Sequence, residues 1–363
     1  MALQLIKTLE KIGKIGLTRI LAGVLPGKPA VPPQTFIPRR VLIFRLDKRI
    51  GNGLLLLPLI KAIQQTDPKV TIDVLINPPV AELMNRLASN LIHWAMPYDQ
   101  AYLFHNPFRW LQLLRRLQRN RYDLVISSSN PDGFSLSQAL FARLISHGYT
   151  VGFRWKESHR FYHITIASSS SKHYADAQVD LWRWYKPQAP FELGGLSINP
   201  REVQQLYAQL PEQYRGEVLF WLGATGDKML PESAITFIYE TLLKAGFERV
   251  VLMAGSEDST RMRQYSSKIQ EQIQYWKRPL VDTALFFSRF RLFISADTGP
   301  MHLAVAVGVP TLTLFTTTNL KQYGYQENQK HVSLYWQNTP EMRTHLETII
   351  IQFYRAHVQP LTP

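Results

Sequence analysis

Two α/β domains, each a parallel sheet covered by helices, are what this sequence predicts, and three observations predict them. Apolar strand-like runs alternate with helix-like stretches twice, before and after a polar region at 186–216. The length of 363 residues exceeds what one core ordinarily organises. The run "ISADTGPMHLAVAVGVP" (294–310) reads as strand, tight turn and helix, the repeating unit of such a sheet.

Taken in order, "RRVLIFRL" (39–46) is a buried strand, "GLLLLPLIKAIQQT" (53–66) a helix and "VTIDVLIN" (70–77) the next strand. "VAELMNRL" supplies another helix and "YDLVISS" (122–128) another strand. Between them "RWLQLLRRLQRNR" (109–121) is an amphipathic helix with Trp110, Leu111, Leu114 and Leu117 turned inward and a basic outer face. The second series has "EVLFWLGA" as strand and "ESAITFIYETLLKAG" (232–246) as a helix with Gly246 past its end. The strands "RVVLMAG" (249–255), "RLFISA" and "TLTLF" follow, and the tail "PEMRTHLETIIIQFYRAH" (340–357) is a closing helix. Both halves therefore read as Rossmann-like.

The N-terminal 25 residues place Leu3, Ile6, Leu9, Ile12 and Ile20 near one helical face, broken by Lys7, Lys11, Lys14 and Arg19. Charges inside the apolar run spoil a signal peptide and suit a basic amphipathic helix, lying on an anionic leaflet or on the protein's own surface. Residues 26–38 hold five prolines and form a semi-rigid linker.

Composition narrows the partners. A net charge of +14, from 41 Lys and Arg against 27 Asp and Glu, favours an anionic one: a phosphorylated ligand, a nucleic acid or an acidic membrane. Zero cysteines exclude a disulfide framework, thiol catalysis and Cys-ligated zinc. No nucleic-acid-binding module pattern is present. "RLDKRIGNG" lacks the Gly-x-Gly-x-x-Gly turn of a nicotinamide dehydrogenase.

In the 294–310 turn, Asp297 or Thr298 can cap the following helix, Pro300 suits its first position and Gly308 ends it. Such a turn aims free backbone N–H groups at the carboxyl edge of the sheet, where they form an anion site. Gly299 lets a phosphate approach, and Thr298 and His302 add side-chain donors. Asp297 would repel a bare phosphate and is cast as a cap, or as partner of a sugar hydroxyl or a nearby cation.

"ISADTGPMHLAVAVGVPTLTLF" resembles the signature of glycosyltransferase family 9, the ADP-heptose lipopolysaccharide heptosyltransferases, and "VLIFRLDKRIGNGLLLLPLIKAI" and "RYDLVIS" resemble the same family's N-terminal motifs. The resemblance runs from about residue 39 to 325 and is loosest between 130 and 215. It implies the GT-B arrangement, two Rossmann-like domains with parallel sheets facing a central cleft. An acceptor-binding domain at 39–190 would precede a nucleotide-sugar domain at 191–339, with a closing helix at 340–363. It also implies a nucleotide-diphosphate sugar donor, ADP-heptose first, with no cofactor. The lipid-linked saccharide acceptor would be met at the cytoplasmic face of the bacterial inner membrane, on an anionic surface, with no nucleic acid involved.

Carried over by motif, Thr298, Gly299 and His302 would hold the donor phosphates with Asp297 beside them. "GATGDKMLPE" (223–232) would supply Lys228, although Leu230 stands where the family has tryptophan. "MAGSEDS" (253–259) would contact the nucleoside through Glu257.

Inverting transfer needs a base for the acceptor hydroxyl and donors for the departing diphosphate. No Asp-x-Asp metal signature is present, so a metal-independent reaction is expected. The family's catalytic aspartate, after the glycine of its N-terminal motif, is Asn52 here, and an amide cannot act as a base. Asp47, Asp132 and His159 can each take the role, Asp47 first because it sits at the end of the first strand. Its structural role would be to cap that turn or pair with Arg49. A relative that binds nucleotide sugar or glycolipid without catalysis is the competing reading.

Overall fold

The computed structural model describes residues 32–99, 106–169, 171–327 and 330–357. The amphipathic helix expected within residues 1–25 lies outside them. The chain forms two compact units. One gathers the described residues up to Lys48 with Leu59–Ala81 and Asn90–Phe191; the other gathers Arg49–Pro58, Glu82–Ser89 and the chain from Glu192 on.

The first unit is built on β1 (Arg40–Phe44), β2 (Thr71–Ile76), β3 (Trp94–Pro97), β4 (Leu124–Ser127), β5 (Tyr149–Phe153) and β6 (Ile164–Ile166), in the order β3-β2-β1-β4-β5-β6. Every neighbouring pair is parallel, with Ile43 of β1 opposite both Val74 and Ile126. Strands so placed are buried on both faces, which is why β1 and β4 read as unbroken apolar runs. The helical run at 53–66 divides into α1 (Ile50–Leu54), which belongs to the second unit, and α2 (Leu57–Thr66). Pro58 has no N–H to give to the Leu54 carbonyl, so one continuous helix is impossible. After them come α3 (Pro78–Leu87), α4 (Pro107–Arg119), α5 (Leu136–Ile145) and α6 (Tyr174–Arg183). On α4 only Leu114 and Leu117 are buried, while Leu111, expected inward, is exposed.

In the second unit β7 (Val218–Trp221), β8 (Val250–Gly255), β9 (Gln274–Trp276), β10 (Leu292–Ala296), β11 (Thr311–Phe315) and β12 (His331–Tyr335) form another all-parallel sheet, ordered β12-β11-β10-β7-β8-β9. It carries α7 (Pro200–Ala208), α8 (Glu232–Ala245), α9 (Leu280–Phe287), α10 (Gly299–Ala306) and α11 (Pro340–His357). Gly246 ends α8 in the left-handed conformation at φ 108°, as its place past the last turn requires. The core joins β7, β8, β10 and β11 to the inner faces of α8 and α11, the latter through Leu346, Ile350 and Phe353. In both sheets the strand order reverses beside the first strand, between β1 and β4 and between β7 and β10. Ligands of open α/β sheets bind at the carboxyl ends flanking such a reversal.

The opening residue of β12 gives the fold a pH dependence. His331 is fully buried, its Nδ1 is 3.0 Å from Thr311 Oγ1, and burial, helped by the charge of Lys330, pushes its pKa down to about 3. The imidazole is thus neutral when folded, while the unfolded chain takes up a proton below about pH 6.5. Stability is full above that value and falls with acidification by up to about 1.4 kcal/mol per pH unit, until the folded imidazole also protonates. Urea melts at about pH 7.5 and about pH 5 measure the loss, and His331→Gln flattens it.

Candidate active site

The site of the second unit starts from β10, all five residues of which are buried. Asp297 follows at the carboxyl edge, and Thr298 is the N-cap of α10 in extended conformation, φ −140° and ψ 165°. Gly299 and Pro300 take the first and second helical positions, so Pro300 lies one residue later than its sequence position suggests. The Thr298 hydroxyl makes no capping bond. Its oxygen is nevertheless buried without a hydrogen-bond partner. A buried hydroxyl left so costs about 1–3 kcal/mol, and it stands at a helix start where Pro300 has no N–H and the Met301 N–H donates to the Thr298 carbonyl at 3.2 Å. The start of α10 therefore keeps one buried hydroxyl without a hydrogen-bond partner.

Asp297 is buried, and its Oδ2 accepts from Lys228 Nζ at 2.6 Å and from Thr318 Oγ1 at 2.6 Å. Lys228 closes a short turn after β7 that begins at Gly226, whose φ of 56° suits glycine, and Thr318 lies after β11. The loops are also joined where Thr316 Oγ1 donates to the Asp227 carbonyl at 2.6 Å. Three strand ends thus converge on one carboxylate, and the cation placed beside Asp297 is Lys228. Its ammonium has two further N–H bonds to direct at a ligand.

His302, in the first turn of α10, is buried, and its Nδ1 is 2.7 Å from the Tyr325 hydroxyl. Burial, with the charge of Asp297 adding to it, pushes the Tyr325 phenol far above its ordinary pKa. A phenol that keeps its proton can donate to Nδ1, an arrangement that leaves the ring proton on Nε2. The other face of the imidazole meets α1. A Cβ on Gly51 would fall 2.6 Å from His302 Cδ2, and one on Gly299 would meet nothing nearer than the Gly51 nitrogen at 3.9 Å. Helical glycine normally gains by becoming alanine. At Gly51 the sign reverses: Gly51→Ala is expected to destabilise by about 1–3 kcal/mol through overpacking. Gly299→Ala leaves the urea midpoint near wild type, and the two melts side by side test the contact.

Of the other residues singled out by the sequence, Glu257 is exposed on the short turn after β8, while its neighbour Asp258 is buried and paired with Arg261. Asn52 is half-buried on α1, the helix that packs against α10. In the first unit Asp47 follows β1 and is ion-paired through Oδ2 with Arg45 Nε at 2.5 Å. Arg45 is itself buried and reaches across the reversal point to the Ser128 carbonyl and the Asn130 side chain. Asp132 is exposed on the loop after β4, and His159 is exposed on a short helical turn after β5. Sequence reasoning missed Thr318, Tyr325, Asp258 and Arg45; Thr318 and Tyr325 lie more than 20 residues from the Asp297 and His302 they serve, whereas Arg45 and Asp258 sit within three residues of their partners Asp47 and Arg261. Among the described residues no group of three or more His, Cys, Asp or Glu side chains is placed to hold a metal ion. No helix among them is long and apolar enough to cross a membrane.

The model of the family described as glycosyltransferase family 9 (heptosyltransferase) matches residues 110–349, more than half of the chain. Lipopolysaccharide heptosyltransferase 1 of Escherichia coli (strain K12) is 25% identical over 306 residues, covering 80% of this chain and 92% of its own. Among solved structures, the family 9 glycosyl transferase from Veillonella parvula DSM 2008 superposes with a TM-score of 0.68 at 18% identity, over 88% of this chain and 96% of that one. The E. coli heptosyltransferase WaaC with ADP-2-deoxy-2-fluoro heptose gives 0.61 at 20%, over 87% and 99%. Likeness at these identities speaks for the fold, and it bears out the α/β, GT-B class that the sequence predicts.

Proposed function

Because the chain belongs to glycosyltransferase family 9, the heptosyltransferases, we propose that it moves a heptose from ADP-heptose to a lipid-linked saccharide in lipopolysaccharide assembly. The observation that carries this reading is the start of α10, where an unpartnered, buried Thr298 hydroxyl directly follows Asp297, the residue that holds the Lys228 ammonium. That is the equipment a departing diphosphate needs. His302 Nε2 adds a donor, Gly299 gives the phosphate room, and Glu257 accepts from the ribose hydroxyls.

The reaction is inverting. The acceptor oxygen attacks the anomeric carbon opposite the diphosphate, the new C–O bond forms as the bond to the leaving oxygen breaks, and Asp47 takes the acceptor proton. Asn52 holds a substrate hydroxyl, and Asp132 is the next candidate for the base. The negative charge that develops on the diphosphate is met by protein donors, so no metal ion is required. Residues 39–190 serve the acceptor and 191–339 the donor, at the cytoplasmic face of the inner membrane.

Asn52 favours a second reading, a relative that binds nucleotide sugar or glycolipid as an assembly partner without catalysis. Calorimetric titration with ADP, UDP, GDP and ADP-heptose tests the shared part of both. Selective binding of the adenine nucleotides, weakened by Asp297→Ala and His302→Ala, is the expected result. If no nucleotide binds, the transferase reading fails and only a glycolipid-binding partner is left. ADP release from bound ADP-heptose in the presence of lipid-linked acceptor then separates enzyme from partner.

A further inference from the structure

On the edge of the first unit's sheet, between β3 and α4, lies a cavity of about 400 Å³ for which the function proposed above has no use. Trp94, Met96, Pro97 and Leu113 give it apolar walls, and the guanidiniums of Arg109 and Arg116 flank it. Arg116 lies over the Trp94 ring, 3.7 Å from the centroid, so its charge is held at the apolar wall. Residues 107–121 hold five arginines and no carboxylate. The helical spacing puts Phe108, Leu111, Arg115 and Arg119 on an outward stripe next to the cavity. Phe108 is 66% exposed and Leu111 37%. Inward Leu111 would have made this a common solvated basic face; outward, it leaves two large apolar groups among cations. That combination suits the interface of an anionic bilayer, where rings enter the acyl boundary and arginines meet phosphates.

We propose that this groove and stripe are the face by which the protein docks on an anionic phospholipid leaflet, with one lipid phosphate between Arg109 and Arg116 and its upper acyl chain on Trp94 and Leu113. The inference rests on the membrane-surface part of the proposed function and not on its chemistry. It assigns the docking to α4 instead of to residues 1–25.

Co-sedimentation of the full chain with phosphatidylcholine vesicles, with and without phosphatidylglycerol, tests it. The Arg109→Ala/Arg116→Ala pair is expected to lower partitioning onto the phosphatidylglycerol vesicles by about thirtyfold, from about fivefold per arginine. Phe108→Ser, at a site too exposed to matter for folding, lowers it several-fold and serves if the pair unfolds. Wild-type partitioning by these variants overturns the proposal, as does loss of the vesicles to inorganic phosphate or duplex DNA at matched ionic strength. ADP binding by the same variants stays at the wild-type value, so failure of the docking face and failure of the donor site are read separately.

Discussion

Asp47→Asn is expected to lower kcat by about 10²- to 10⁴-fold, the contribution of a positioned general base, while leaving ADP affinity at the wild-type value. Asp47 stands where β1 ends and the strand order reverses, and Arg45 fixes its Oδ2 at 2.5 Å. Arg45 is in turn buried and tied to Ser128 and Asn130 at the end of β4. The carboxylate is therefore aimed by a guanidinium anchored on two strands, whereas Asp132 is exposed on a loop and His159 on a short helical turn. An asparagine at 47 still accepts from Arg45, so the local geometry survives and only the capacity to take a proton is lost. Single-turnover transfer from ADP-heptose by Asp47→Asn, Asp132→Asn and His159→Gln identifies the base by which variant stalls. Full activity in Asp47→Asn would move the role to one of the other two. Absence of transfer in the wild type would favour the partner reading that Asn52 suggests.

His302→Ala is expected to cost about 10²- to 10³-fold in kcat, the measure of losing one donor to charge that develops in the transition state. Tyr325 engages Nδ1 of this imidazole at 2.7 Å, so under the proposed function donation to the diphosphate would fall to Nε2. Tyr325→Phe keeps the ring of Tyr325 and removes its hydroxyl, releasing the imidazole to exchange tautomers. Its expected cost is about tenfold, near the worth of one hydrogen bond. The ratio between the two variants tests whether tautomer control or mere packing explains the contact. Equal activity of Tyr325→Phe and wild type would leave Tyr325 a packing residue, with His302 still a donor.

The fold was legible because parallel sheets leave strong traces: β1, β4, β7 and β10 are mostly apolar and buried runs, and β7, β8, β10 and β11 are each followed by a turn with polar residues. The short strands β3, β6 and β9, three or four residues each, carry too little pattern to read. In the site, the βα turn at 294–310 announced itself because its parts are consecutive in the chain. The partners of that turn could not. Asp297 is completed by Lys228 and Thr318, and His302 by Tyr325 and Gly51, and these bonds join separate βα units. The spacing of residues along one element carries no record of them. Leu111 is the opposite case: Trp110, Leu114 and Leu117 share the face that packs on the core, and Leu111, one residue on from Trp110, is turned about 100° away from it and faces solvent.

The unit that holds α10 includes Arg49–Pro58 as well as everything from Glu192 on. Gly51 and His302 are about 250 residues apart in a chain made from its N-terminus, at roughly 5–20 residues per second. The glycine therefore leaves the ribosome about 10–50 s before the histidine it must admit. During that interval the apolar segment Leu54–Leu57 has no finished unit to join, and a nascent-chain holdase has its clearest opportunity there. Maturation of α10 is thus a late, non-local step, and a fragment that begins at residue 192 would lack the Arg49–Pro58 piece of its own unit.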